Sequence, residues 1–234
     1  GPSGEDCPAK YSFPRAEQDA FATASVQRAQ AATASGAFAA EITPVTVKGR
    51  GGEVTISIDE GPGKIKLDKI PALKPAFKKD GTITAASSSS INDGAAAMVL
   101  MKASTAAKLG CTPLARIVSH ATHAQEPEWF ATAPVGATQK ALDKAGWTVG
   151  DVDLWEVNEA FAVVPMALMK ELDVPHDKVN VHGGACALGH PIGASGARIM
   201  VTLIHALKAR GLKKGLATLC IGGGEATAMA VGLV

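Results

Sequence analysis

The second half of the sequence alternates short apolar runs with longer helix-type stretches, and this alternation limits the folds open to the chain. Predicted strands lie at residues 114–118, 154–157, 179–181, 216–221 and 226–231, and predicted helices at 138–145, 159–172 and 195–210. Alternating strands and helices pack as a sheet with helices on its faces. Residues 113–234 therefore predict an α/β domain of layered design, since about 120 residues is an ordinary domain size.

The first 91 residues are more mixed and predict a smaller α+β region. A helix is expected from Pro14, which suits a first helical turn, to Gly36, which suits a helix end. Alternating apolar residues at 45–47 and 54–58 flank a glycine turn and predict a β-hairpin. The stretch 61–79 is rich in Pro, Gly and Lys and predicts an irregular surface segment. Its lysines form either a solvated face or an anion-binding rim.

A connecting segment follows at residues 92–112. Residues 95–101 are a continuous apolar run that predicts a buried strand, and residues 102–109 predict a short helix that ends at Gly110. The sequence thus divides into residues 1–91, 92–112 and 113–234.

Composition excludes several classes of function. The formal net charge is +1 and aromatic residues are 4% of the chain, which argues against a nucleic-acid footprint or a base-stacking platform. The apolar runs are far shorter than the roughly 20 residues that span a bilayer, and the sequence has no signal-peptide pattern. The 4 cysteines are scattered, which indicates a reducing compartment, so we expect a cytoplasmic protein.

Three residues whose side chains could take part in catalysis lie at strand ends or in a glycine-rich loop. Asn158 follows the strand 154–157, Cys220 lies near the end of the strand 216–221, and His190 precedes a long helix within a glycine-rich loop. In α/β sheets, reactive groups collect at the carboxyl ends of strands. Taken singly, each residue has an ordinary structural explanation, namely a helix cap, a core histidine and a small buried hydrophobe. The glycines at 183–196 and 222–224 favour a tight pocket with backbone N–H donors.

Other chemistries fit the sequence less well. Neither glycine loop has the spacing of a phosphate-binding GxxxxGK[ST] or GxGxxG motif. A GxSxG nucleophile elbow is absent from the sequence. His120 and His123 are expected on opposite faces of a strand, so we predict no metal site.

Three motifs together resemble those of the thiolase family, the acetyl-CoA acetyltransferases or β-ketothiolases. They are VNEAFA at residues 157–162, GGA followed by GHPIGASG across residues 183–196, and CIGGG at residues 220–224. The resemblance extends to EQDAFA at residues 17–22 and to residues 82–94, and it covers essentially the whole chain. It implies a thiolase-like layered α/β/α C-terminal domain, preceded by a mixed α+β loop domain at residues 1–91.

The resemblance also implies a Claisen condensation of two acetyl-CoA molecules to acetoacetyl-CoA and CoA, or its thiolytic reverse. His190 resembles the histidine that activates a nucleophilic cysteine, and Asn158 resembles the residue whose bound water completes an oxyanion hole with it. Cys220 resembles the second catalytic cysteine, which removes the α-proton, and the Gly222 N–H resembles a donor of the other oxyanion hole. Positions that match the coenzyme A tunnel of the family are Ser89, Phe77, Ala85, Phe161 and Lys64.

The resemblance further implies no metal and no prosthetic group, with coenzyme A thioesters as substrate and product, and a homo-oligomer. None of Cys7, Cys111 and Cys186 matches the nucleophilic cysteine, so we expect a chain that lacks the N-terminal thiolase domain. Residues 95–101 resemble the last strand of that domain. Such a chain is active only together with an N-terminal thiolase half, or it is a catalytically inactive CoA-binding fragment. A ketoacyl synthase is disfavoured because those enzymes have His or Asn at the position of Cys220.

Overall fold

The structure, a computed structural model, describes residues 2–234 and contains two sheets of unequal size. Residues Val45–Gly49 (β1) and Gly52–Ile56 (β2) form an antiparallel hairpin. The larger sheet has the strand order β3-β6-β5-β4. Its strands are Ala115–Ala124 (β3), Leu154–Val157 (β4), Lys214–Ile221 (β5) and Glu225–Leu233 (β6). β4 and β5 run parallel, whereas β6 is antiparallel to both of its neighbours.

Helices lie on both faces of the larger sheet in residues 2–234, and further helices pack around them or lie apart from the sheet. Their bounds are Asp6–Tyr11 (α1), Arg15–Ser35 (α2), Gly61–Lys64 (α3), Ala103–Leu109 (α4), Ala133–Ala145 (α5), Val163–Leu172 (α6), Ala185–Leu188 (α7) and Ile192–Arg210 (α8). Short 3₁₀ segments lie at Pro2–Glu5, Leu67–Ala72, Pro127–Thr132, Val149–Asp151 and His176–Lys178. Leu203 and Leu207 of α8 pack with Leu154 and Ala217 on one face. Residues of α5 and α6 pack with Trp155 and Leu216 on the other, which confirms the α/β class.

The hairpin and the long helices lie where the sequence places them. α2 starts directly after Pro14 and ends at Gly36, whose φ of 75° is the left-handed conformation that glycine adopts readily. α8 follows Pro191 and ends at Gly211, with basic side chains in its last turn. No helix among the residues that the structure describes is long and apolar enough to cross a membrane.

The strand predicted at residues 95–101 is wrong. These residues form neither helix nor strand, and Val99 and Leu100 are 86% and 65% exposed. A strand needs a neighbour to complete its hydrogen bonds, and no strand in residues 2–234 pairs with this segment.

The structure differs from two other predictions, the strand at residues 179–181 and the start of the helix at residue 159, because of the local backbone conformation. Residues 179–181 make only one β-bridge, Trp155 to Val179, because Asn180 has a φ of 48° and turns the chain away. The helix predicted at 159–172 begins at Val163 instead. The preceding residues are extended against residues 87–89, where the Ser89 N–H donates to the Ala160 carbonyl at 3.1 Å and Ser88 bridges to Phe161.

Candidate active site

Asn158 and Cys220 lie at the same edge of the larger sheet because β4 and β5 are parallel. Val157 pairs with Thr218, and the Asn158 N–H continues the ladder by donating to the Thr218 carbonyl at 3.0 Å. Cys220 lies two residues beyond Thr218 on β5 and is a buried free thiol. The expectation that these two residues share the carboxyl edge is confirmed.

His190 meets Asn158 at this edge. The Asn158 Nδ2 lies 3.3 Å from the Nε2 of His190, so the structure brings together residues 32 positions apart. The backbone N–H of His190 donates to the Ser90 carbonyl at 3.0 Å. The imidazole is therefore held both by its own loop and by the segment that follows residues 87–89.

Ser195 determines which nitrogen of His190 carries the proton. Its Oγ lies 2.6 Å from the His190 Nδ1 and 3.0 Å from the Pro191 carbonyl, which is only an acceptor. A serine hydroxyl has one hydrogen, so Ser195 donates to Pro191 and accepts from Nδ1–H. The Nε2 lone pair then faces the Asn158 amide. Sequence reasoning missed Ser195, although it lies within the GHPIGASG motif.

The surroundings favour uncharged forms of both titratable groups. Burial, reinforced by the positive charge of Arg198, lowers the pKa of His190 below its ordinary value, so the imidazole is neutral at pH 7. Burial raises the pKa of Cys220 to about 12, so its resting form is the thiol.

Gly222 lies in the turn that joins β5 to β6, two residues beyond Cys220. It is exposed, and a Cβ built on it would meet nothing within 4 Å. Gly224 closes the same turn with a φ of 88°, and a Cβ there would lie 2.2 Å from the Gln125 carbonyl oxygen. The turn therefore needs glycine at Gly224, and Gly222 faces open space beside the site.

Three of the positions singled out for coenzyme A lie together. The Ser89 Oγ is 3.2 Å from the Ala160 carbonyl, next to Phe161. The rings of Phe77 and Phe161 meet edge to face with centroids 5.7 Å apart, and Phe130 contacts Phe161 from another side at 6.0 Å.

Lys64 and Ala85 line a second region, a cleft of about 320 Å³. Its floor is mostly apolar and includes Val26 and Cys186, and its rim carries Lys66 and Lys69 as well as Lys64. Lys64 is exposed and pairs with Glu60 at 2.6 Å. The lysines of residues 61–79 are thus solvated, and three of them border one cleft, whereas their role as an anion-binding rim stays a prediction.

The other cysteines do not join the site. Cys7 and Cys186 are buried and Cys111 is exposed, and none of them hydrogen-bonds to His190 in the described part of the chain. Within residues 2–234, no cluster of His, Cys, Asp or Glu has the geometry of a metal site.

Comparison with known proteins identifies the family. The family model described as "Thiolase, C-terminal domain" matches residues 111–232, and "Thiolase, N-terminal domain" matches residues 1–104. The expectation of a chain without the N-terminal domain is therefore not supported, because the matches to the two models together cover almost the whole chain.

Relatives and solved structures agree with these matches. An acetyl-CoA acetyltransferase of Chromobacterium violaceum is 54% identical over 99% of this chain and 59% of its own length. The crystal structure of the Bacillus anthracis acetyl-CoA acetyltransferase is 45% identical, with a TM-score of 0.96 over 99% of this chain and 59% of that one. The Acat5 thiolase from Ascaris suum in complex with coenzyme A is 43% identical, with a TM-score of 0.92 and the same coverage. The chain thus spans about 59% of the length of these proteins, and it belongs to the thiolase family.

Proposed function

We propose that this chain supplies the condensing part of a thiolase active site, which joins two acetyl-CoA molecules to acetoacetyl-CoA and CoA or catalyses the thiolytic reverse. The observation that carries the proposal is the Asn158–His190 contact at the sheet edge that also holds Cys220. An imidazole whose Nε2 is unprotonated, an amide and a thiol are the groups that proton transfer and enolate stabilisation require.

The proposed first half-reaction uses His190 as a base and Cys220 as an acid. A nucleophilic thiol attacks the carbonyl carbon of acetyl-CoA, and its proton passes to Nε2 of His190. The bond between the acyl carbon and the CoA sulfur breaks, and the departing CoA thiolate takes the proton of the Cys220 thiol. The raised pKa of Cys220 supports this role, because the residue starts out protonated.

In the second half-reaction the Cys220 thiolate removes a proton from the α-carbon of the second acetyl-CoA. Nε2–H of the His190 imidazolium and a water on Asn158 hold the enolate oxygen, while the Gly222 N–H faces the acyl oxygen. The α-carbon attacks the acyl carbon, the thioester to the nucleophile breaks, and His190 returns its proton to that thiol.

We assign the nucleophilic thiol of this scheme to none of the cysteines of the chain. Cys7, Cys111 and Cys186 make no hydrogen bond to His190 within residues 2–234. We assign the nucleophile to a thiolase segment beyond the 59% of the relatives that this chain matches. Homo-oligomerisation and a cytoplasmic location belong to the same proposal, and the unpaired state of the 4 cysteines supports the location.

A thiolysis assay with acetoacetyl-CoA and CoA tests the proposal. The chain is assayed alone and after mixing with the part of the Chromobacterium violaceum relative that it does not match. We expect activity in the mixture, abolished by His190→Ala or Cys220→Ala and retained in His205→Ala and Cys111→Ser. A soluble complex without thiolysis would contradict the proposal.

The second candidate function is CoA binding without catalysis, which the cleft lined by Lys64 favours because a cationic rim over an apolar floor suits a long anionic molecule. Calorimetric titration of the chain with CoA, taken together with the thiolysis assay, separates the two functions. Binding without thiolysis in the mixture supports the second candidate.

A further inference from the structure

Glu159 is an acidic residue in the buried interior, directly beside Asn158. Its side chain is completely buried, between the end of β4 and the start of α6. Burying a carboxylate without partners in such a place is strongly unfavourable, and more so than burying a neutral polar group without a hydrogen bond. A buried acid is therefore retained only where donors surround it.

Three donors converge on this carboxylate. The Ser25 Oγ lies 2.7 Å from Oε2, the Cys186 N–H donates to Oε2 at 3.0 Å, and the Asn180 Nδ2 donates to Oε1 at 2.8 Å. The two nitrogen groups can only donate, and Ser25 accepts from the Gly184 N–H at 2.9 Å, which leaves its own hydrogen for Glu159. The arrangement fits a carboxylate that accepts from every side.

Each donor belongs to a segment that positions the site. Asn180 also bonds to the N–H and the carbonyl of Val157 at 2.8 Å each, so it fixes the backbone just before Asn158. Cys186 lies in α7, whose end at Leu188 leads to His190 within two residues. Ser25 brings the middle of α2 against both segments.

The glycine at Gly184 allows this close approach. A Cβ built there would lie 2.3 Å from the Glu159 Cδ, so the backbone of the loop before His190 rests directly on the carboxylate. The carboxylate is thus in contact with the strand end that carries Asn158 and with the loop that carries His190.

We propose that Glu159 is a positioning residue whose carboxylate sets the placement of Asn158 relative to His190. Its catalytic meaning rests on the proposed function, whereas its effect on the His190 imidazole does not. A glutamine side chain cannot replace the Glu159 carboxylate. Its NH₂ group would face an N–H or O–H donor from which a carboxylate oxygen now accepts a hydrogen bond.

The test compares Glu159→Gln with Glu156→Gln. Glu156 is a matched control, since it is also a buried acid, lies on β4 and makes no hydrogen bond to Ser25, Asn180 or Cys186 within the described residues. The probe is the pair of imidazole ¹⁵N resonances of His190 in labelled full-length chain, assigned with His190→Ala. We expect a single dominant Nδ1–H tautomer in the wild type and in Glu156→Gln. In Glu159→Gln the Nε2 resonance moves as the Asn158 contact is lost.

An activity arm uses the thiolysis mixture described above. Glu159→Gln is expected to lower kcat by about 10²-fold with KM within about twofold, as a misplacement of about 1 Å in catalytic geometry would do. Glu156→Gln is expected to stay within about twofold of the wild type in both constants.

The outcomes separate the two ideas. A moved Nε2 resonance in Glu159→Gln, with no thiolysis in the wild-type mixture, supports the positioning role and contradicts the proposed function. Unchanged resonances in Glu159→Gln, indistinguishable from Glu156→Gln, overturn the positioning role whatever the activity. If Glu159→Gln does not fold, Ser25→Ala, which removes one donor and keeps the carboxylate, decides the matter by the same resonances.

Discussion

The Oγ of Ser195 lies 2.6 Å from the Nδ1 of His190 and gives its only hydrogen to the carbonyl of Pro191. The first turn of α8 therefore selects the neutral tautomer of a histidine that precedes the helix. The free nitrogen faces Asn158, where a proton has to be accepted in the proposed reaction.

Ser195→Ala removes this selection and leaves the imidazole in place. We expect His190 to populate both tautomers and thiolysis in the reconstituted mixture to fall about 10-fold, the equivalent of one hydrogen bond of about 1.4 kcal/mol. Imidazole ¹⁵N shifts and the assay measure the two effects. Ser104→Ala, on the exposed face of α4, is the control and is expected to change neither. An unchanged tautomer ratio in Ser195→Ala would refute the assignment.

Arg198→Gln is expected to raise the pKa of His190. Burial is the larger cause of its lowered pKa and the Arg198 charge is the second, so the pKa rises on substitution yet stays below the ordinary value. The acid limb of the pH–activity profile moves to higher pH as the pKa of His190 rises, because His190 acts as a base only in its unprotonated form. An NMR titration of His190 measures the shift. Arg198→Lys keeps the charge and is expected to leave the pKa nearly unchanged, whereas equal shifts in both variants would contradict the electrostatic cause.

Cys220 and Cys111 are expected to differ in their rates of alkylation in the folded chain. Burial raises the pKa of Cys220 to about 12 from an ordinary 9.0, whereas Cys111 is exposed. The raised pKa leaves less thiolate at Cys220, and the thiolate is the reacting form. Iodoacetamide labelling followed by peptide mass analysis measures both rates, and labelling in denaturant is the control, since Cys220 then reacts readily. Fast labelling of Cys220 in the folded Cys111→Ser variant would count against this account.

Gly184→Ala is expected to destabilise the chain, because its Cβ would lie 2.3 Å from the Glu159 Cδ in a packed core. The free energy of unfolding is expected to fall by about 1–3 kcal/mol, the usual cost of overpacking. Gly196→Ala is the opposite case, since Gly196 lies in α8 and its Cβ meets nothing within 4 Å. It is expected to gain about 0.5–1 kcal/mol from helix propensity. Urea unfolding measures both changes, and a Gly184→Ala variant as stable as wild type would show that the loop can move away from the carboxylate.

Local sequence signals predicted much of the fold and the placement of three candidate site residues at one edge of the larger sheet. α2 and α8 have proline before them and glycine after them, and Asn158, His190 and Cys220 lie at strand ends and in glycine loops that are visible in the sequence. The buried network around Glu159 had no such signal, because Ser25 and Glu159 are 134 positions apart. The strand prediction for residues 95–101 was wrong for a different reason. An apolar segment forms a strand only where a neighbouring strand completes its hydrogen bonds.

The backbone hydrogen bond from Asn158 to Thr218 fixes the register between β4, which leads to Asn158, and β5, which carries Cys220. Side chains alternate between faces along a strand, so a slip of β4 against β5 by one residue would turn its side chains to the opposite face of the sheet. Asn158 would then point away from His190 while Cys220 stayed in place. The relative placement of the Asn158 amide and the Cys220 thiol thus depends on the pairing of Leu154 with Gly215 and of Val157 with Thr218. Interactions that stabilise this short parallel ladder therefore also preserve the relative placement of Asn158 and Cys220.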